Sequence, residues 1–229
     1  MSKSFRPVAI RFVVALSLPL LFASSARAQG PDPAALAGQY AANAKQNATL
    51  MRSYMWKMRV ELTLKGEVKP ASVYQLRFDL DGKLQKTLLT PPPEKPRGLG
   101  HRIKEQKIEE FKDWAGDLAE VVKQYMAPTP GNMMDFYSKA AISQAPDGTA
   151  QVSAGGFLKP GDSATFWIDK ATKIPVRYAF TTALDADAVS GKVEYGKVDG
   201  GPQYAARITV SVPSKELTAK VETYEYVKQ

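Results

Sequence analysis

The chain contains no cysteine and one histidine, His101, among 229 residues. Without cysteine there is no disulfide, no thiolate ligand for a metal, and no cysteine that a lipid anchor could modify. A lone histidine cannot build a His-rich zinc site. A Ser-His-Asp arrangement would have to use His101, which sits among glycine and arginine beside a proline-rich run, and no Gly-x-Ser-x-Gly elbow is present to offer the serine. His101 therefore reads as a solvated loop residue. Long apolar runs are also scarce: one occurs near the start, "FVVALSLPLLFA", and no second follows it.

That first run is preceded by Lys3, Arg6 and Arg11 and followed by Ala26-Arg27-Ala28, the pattern of a secretory signal peptide cut after Ala28. At about a dozen residues it is shorter than the roughly 20 that span a bilayer. The expected mature chain, 29–229, is a single soluble domain, periplasmic or secreted, with no transmembrane segment. Removing Lys3, Arg6, Arg11 and Arg27 lowers the formal charge from +8 to +4. The remaining basic residues are spread among acids along the strands rather than gathered on one face, so no nucleic-acid partner is expected.

Asp32-Pro33 opens a short amphipathic helix by N-cap and first-turn grammar, with Leu36, Tyr40, Ala44, Ala48 and Met51 on its stripe. The period then drops to two. "YMWKMRVELTLK" sets Tyr54, Trp56, Met58, Val60, Leu62 and Leu64 against polar alternates, a strong strand signal. Tyr74, Leu76, Phe78 and Leu80 alternate next, and Asp81-Gly82 supplies a two-residue hairpin turn. "TPPPEKPRGLG" breaks the sheet. A helix over 102–126 follows, its stripe formed by Ile108, Phe111, Ala115, Leu118, Val122 and Tyr125. A shorter helix, "MMDFYSKAAIS", is expected to be capped by Asn132, giving a helical insertion over about 101–143. From Ala150 onward, short strands and regular turns predict an antiparallel meander, for about nine strands in all. Tyr178 and Phe180 share a face there, as do Tyr204, Ala206, Ile208, Val210 and Val212.

Candidate chemistry is thin. Asp169-Lys170 lies between Trp167-Ile168 and the strand from Ile174, where a turn aspartate accepts backbone N–H groups, so the pair reads as a corner. "SAGGFLKPGDS" lacks the Gly-Lys-Ser/Thr end of a phosphate loop and suits a type II turn at Pro160-Gly161. Asp185 and Asp187 imitate the start of a calcium loop, but Val189 replaces an oxygen ligand and the distal glutamate is missing. Asn47-Ala48-Thr49 matches a glycosylation sequon, a short and frequent pattern. No catalytic residue, metal site or cofactor is expected.

The order of elements, with "FWIDKATKIPVRYAF" and the closing "VSVPSKELTAKVETYEY", resembles the periplasmic lipoprotein-carrier superfamily, the Lol carriers and related sorting proteins. The resemblance implies an α+β fold: a strongly curved antiparallel β-sheet, an unclosed β-barrel, with an N-terminal helix and a helical insertion covering the concave face. It implies a noncatalytic carrier of a lipid or acylated ligand, with an envelope protein as partner. On that reading Trp56, Met58, Leu62, Phe78, Tyr178, Phe180 and Ile208 line the concave face, and Phe111, Trp114, Leu118, Met133 and Met134 form the lid. The adaptable thioethers of Met51, Met55, Met58, Met126, Met133 and Met134 suit irregular apolar ligands, and equally suit gap filling in a core. Two alternatives stay open: the face is a filled core rather than a cavity, or the same sheet serves as a protein-interaction or sensor module without lipid.

Overall fold

The computed structural model describes residues 32–91 and 101–229, with side chains from 109 onward in the second stretch. The expected signal peptide over 1–28, its expected cleavage site and most of the proline-rich run lie outside the described residues. Helix α1 (Pro33–Met51) begins as expected, the Asp32 side chain accepting from the amide of Ala34 at 3.0 Å. Its buried side is rotated from the expected stripe: Ala37 is buried and Leu36, Tyr40, Ala41 and Asn47 half-buried, while Ala44 and Ala48 are exposed. Asn47 accounts for the turn. Its amide grips the backbone of Gln203 from both sides, Nδ2 donating to the carbonyl at 2.8 Å and Oδ1 accepting from the N–H at 2.7 Å.

The sheet contains β1 (Tyr54–Leu64), β2 (Glu67–Val68), β3 (Ser72–Phe78), β4 (Leu84–Leu88), β5 (Ala141–Gln144), β6 (Ala150–Gly155), β7 (Ser163–Ile168), β8 (Pro175–Leu184), β9 (Asp187–Lys197), β10 (Gln203–Val212) and β11 (Leu217–Lys228). Eleven strands thus stand among the described residues where about nine were expected, the short β2 and β5 making the difference. The order is β4-β3-β1-β11-β10-β9-β8-β7-β6-β5, with β2 on β1. All pairs are antiparallel and the end strands β4 and β5 do not meet. This is the unclosed α+β half-barrel that the order of elements implied.

Between β4 and β5 come α2 (His101–Met126) and α3 (Pro130–Lys139). His101, expected in a loop, opens α2. The cap of α3 is Thr129, not Asn132: the Thr129 hydroxyl accepts from the Asn132 amide while the Asn132 side chain accepts from the Thr129 amide, a reciprocal box with Pro130 in the first turn. The helix stops at Lys139, and the "AIS" expected to prolong it enters β5.

Two strand details also depart from the simple alternation. The β3–β4 connection runs from Asp79 to Lys83 rather than through a two-residue turn, its ends tied by Asp79 N–H to the Lys83 carbonyl at 3.0 Å and Lys83 N–H to Asp79 Oδ1 at 2.8 Å. Leu80, expected on the apolar face, consequently stands fully exposed at the loop tip. In β10 a bulge between Ala205 and Arg207 shifts the register, so Ala205 rather than Ala206 packs on the core. The Asp169 corner forms as expected: Oδ1 accepts from Ala171 N–H at 3.1 Å, Thr172 N–H at 2.7 Å and the Thr172 hydroxyl at 2.8 Å. These donors hold the Asp169 carboxyl below the usual range.

Candidate ligand-binding face

Strand register gathers the expected face. Directly opposed residues of an antiparallel pair point the same way, and the pairs Val60–Val221, Val221–Ile208, Ile208–Val193, Val193–Tyr178, Tyr178–Phe166 and Phe166–Val152 form one row across seven strands. A second row runs through Leu62, Ala219, Val210, Gly191, Phe180 and Ala164. Trp56 and Met58 follow by alternation on β1. Phe78 joins through the pairing of Trp56 with Leu76 and through its own contact with the Trp56 ring, 5.8 Å between centroids. All seven residues expected to line the concave face therefore share one side of the sheet.

Cover divides that side into two halves. Over β6 to β9 the helices fill it: Tyr178 and Phe180 are each 2% exposed and Met133 and Phe136 fully buried. Aromatic rings do most of the filling. Tyr178 stacks on Phe166 at 4.4 Å, Phe180 on Tyr125 at 4.6 Å, and Phe136 meets Phe157 and Phe166 edge-on at 5.3 and 5.2 Å. Of the expected lid, Phe111, Trp114, Leu118 and Met133 pack here. Met134 does not; one helical step from Met133, it faces out at 46% exposure.

Over β3, β1, β11 and the adjoining part of β10 the same side is only partly covered. Met58, Val60, Leu62, Tyr74, Phe78, Ile208 and Val221 are half-buried, and Leu84 and Leu88 on the edge strand β4 are 50% and 40% exposed. None of these residues of β1, β3, β11 and β10 is charged; the charges on this side stand at its margin, Lys228 opposite Tyr54 at the end of β11 and, on β4, Lys86, which lays its ammonium over the Tyr74 ring at 3.8 Å. Deeper residues interrupt the strip at one end, where Tyr54, Trp56 and its β3 partner Leu76 are buried, Trp56 beneath Phe78 and a parallel Tyr226 ring 5.7 Å away.

The opposite, convex side is polar. Its row Arg59, Glu222, Arg207, Glu194 and Arg177 alternates in sign, with Arg207 reaching Glu194 at 2.9 Å and Glu222 at 3.3 Å and Arg177 paired with Asp147. Paired charges neutralise one another across the ladder, so this side has no concentrated basic footprint.

One polar cluster that the sequence reading did not single out fixes the end of α2. Asp162, 4% exposed, accepts from the amides of Phe157, Leu158 and Lys159, the last two at 3.0 Å, and from the Tyr125 hydroxyl. Tyr125 is also 2.8 Å from the Thr182 hydroxyl. Burial, then the Asp162 carboxylate, pushes the Tyr125 phenol up to about 12. The type II turn expected at Pro160-Gly161, with Gly161 at φ 86°, sets Asp162 facing back to those amides. Asp187, of the calcium-like pair, instead accepts from Ser214 at 2.6 Å and pairs with Lys215 at 3.3 Å. No cluster of three or more His, Asp or Glu side chains suited to a metal occurs among the described residues, and no described helix is long and apolar enough to cross a membrane.

No family model matches the sequence, and no curated protein matches it. Among solved structures the chain is similar to a LolA superfamily protein from Nitrosomonas europaea, at 8% identity and TM-score 0.38 over 82% of this chain and 93% of that one. It is similar to a DUF1329 family protein from Desulfovibrio piger, at 10% identity and TM-score 0.41 over 86% and 94%. A third is an outer membrane lipoprotein-sorting protein domain from Vibrio parahaemolyticus, at 9% identity and TM-score 0.39 over 84% and 93%. At these scores the chemistry has to be argued from the face itself.

Proposed function

We propose that the protein is an exported, noncatalytic carrier of a lipid-like ligand, held as an extended acyl chain on the half-covered part of the concave face. The observation that carries this reading is the uncharged strip of Met58, Val60, Leu62, Tyr74, Phe78, Val221 and Ile208, continuous with the core yet only half-buried. Apolar surface left in water costs about 25 cal/mol per Å², and a curved floor of aliphatic and thioether side chains fits a flexible chain better than a flat protein face. The signal-peptide pattern over 1–28 supports export of a mature chain, 29–229, to the periplasm or beyond, where lipid and acylated ligands need an escort between membranes. The reading needs no reactive group.

Native mass spectrometry of the protein purified from the periplasm without detergent tests it. The expected result is a recurrent extra mass that organic extraction removes and identifies as lipid or acylated peptide, with Met58→Ser weakening retention while the fold persists. A clean mass, with no uptake of added phospholipid or acyl peptide, refutes it. A second reading, a protein-interaction module, is favoured by one observation: every residue of the edge strands β4 and β5 is exposed, leaving backbone groups able to pair with a partner strand. Lys86 in the middle of β4 and Pro91 just beyond it are the usual guards against such pairing, which is why the lipid reading leads.

A further inference from the structure

The half-covered strip differs at its two ends. Toward β2 it runs out through Leu62 and Leu64, and the charges met there cancel, Lys69 reaching Glu67 at 2.6 Å. At the other end it closes on the rings of Phe78 and Tyr226 over Trp56, and a lysine stands on either side of them. Strand register turns both inward. Lys86 of β4 pairs with Leu76, and Leu76 with Trp56, while Lys228 of β11 pairs with Tyr54. Both lysines are exposed. Arg52 reaches the same end from the foot of α1, its guanidinium carbon 3.5 Å from where a Cβ on Gly82 would lie.

Neither lysine meets a carboxylate among the described residues; the contact Lys86 makes is with the Tyr74 ring, which leaves its N–H donors to solvent. The acids close by are turned elsewhere. Asp79 accepts from the Lys83 amide and from Gln85 Nε2, Asp81 stands out in the exposed loop, Glu225 pairs with Lys57, and Glu61 and Glu222 lie on the convex side. From Trp56 to Leu62 the strand covers about 20 Å, the reach of a long extended acyl chain. An apolar floor with unpaired cations at one end is complementary to an amphiphile with an apolar tail and a negative head. A cationic head would meet like charge there, and a neutral one would leave both ammonium groups to water.

We propose that the ligand of the strip carries an anionic head, held at this end by Lys86 and Lys228, with its chain running along β1 toward Leu62. This rests on the carrier reading, and the probes separate the two. Palmitoyl lysophosphatidic acid and 1-palmitoylglycerol share a chain and differ in the phosphate. With each probe kept monomeric at low salt, the purified protein should bind both, the phosphate about 3- to 10-fold more tightly, the worth of one or two partly exposed ion pairs. That preference should shrink in 0.5 M salt, roughly, as screening shortens the reach of the charges. The double variant Lys86→Met/Lys228→Met should bring the ratio toward one and leave 1-palmitoylglycerol binding unchanged, and Lys86→Arg/Lys228→Arg should restore it. Lys192→Met, on the convex side opposite Ala179, removes the same kind of charge and should leave the ratio as it was. Equal affinities in the parent, a ratio that survives the double methionine variant, or one that falls as far with Lys192→Met, overturn the anionic-head site while the carrier reading stands. If neither probe binds, the carrier reading fails and the site with it.

Discussion

Gly191→Ala puts the division of the concave face to a quantitative test. Gly191 pairs with Phe180 across β8 and β9, and a Cβ built there would lie 2.1 Å from Phe180 Cε1 and 2.3 Å from Cζ. The ring cannot swing away, being 2% exposed and stacked on Tyr125 at 4.6 Å. Overpacking of this kind costs about 1–3 kcal/mol, against which a Gly→Ala change returns about 0.4–1 kcal/mol of unfolded-chain entropy. A net loss of about 1–2 kcal/mol is expected. Phe180→Ala removes the ring and leaves a hole, for about 3–5 kcal/mol. In the double variant the added methyl enters space that the ring has vacated, so the two costs should fall short of additivity by about 1–2 kcal/mol. Urea titrations with unchanged slopes measure all four proteins. If Gly191→Ala is as stable as the parent, or if the two costs simply add, then Phe180 is not locked over Gly191 and the covered half of the face is not the packed core described above.

Two further outcomes follow from the buried polar groups. Asp162→Asn keeps the shape but gives one acceptor oxygen to three amides and a phenol, and should cost about 2–3 kcal/mol in the same titration; a change below about 0.5 kcal/mol would refute the role given to Asp162. In alkali, Tyr125 and Tyr226 are lifted to about 12, against about 10 in the unfolded chain. Their contribution is fully present below about pH 10 and lost as pH rises through the folded values, so phenolate absorbance should appear together with unfolding. Normal ionisation of these phenols in the still-folded protein would contradict their burial.

Local grammar carried much of the fold into view. The alternation from Tyr54 to Leu64 is one unbroken strand, and Asp32-Pro33 and the Asp169 corner are built as turn and cap chemistry dictate. Where the reading slipped, two local devices competed. Thr129-Pro130 and Asn132 both fit a helix start, and the box uses both while giving the cap to Thr129. Leu80 continues the alternation of β3, but the Asp79–Lys83 bonds take it into the loop. The bulge at Ala206 has no signal at all, because alanine is neutral to the distortion. The rotation of α1 toward Asn47 depends on Gln203, 156 residues away, beyond the reach of any helical wheel.

The candidate site was legible to a different degree, and the reason is geometric. Alternation fixes which side of a strand is apolar, so seven residues expected on one face do share it. Whether that side is a core or a floor depends on which strands the helices reach, and this is set by long-range packing. Phe136 and Tyr125 put their rings over β7 and β8, within reach of Phe166 and Phe180. That coverage turns Tyr178 and Phe180, expected as ligand contacts, into packing. Met58, Leu62, Phe78 and Ile208 lie strands away from those rings and keep part of their surface in water. A charge at Phe180 would therefore act on folding before it acted on any ligand, since it would be buried without a partner. Met58→Ser, on the half-covered strip, separates retention from stability.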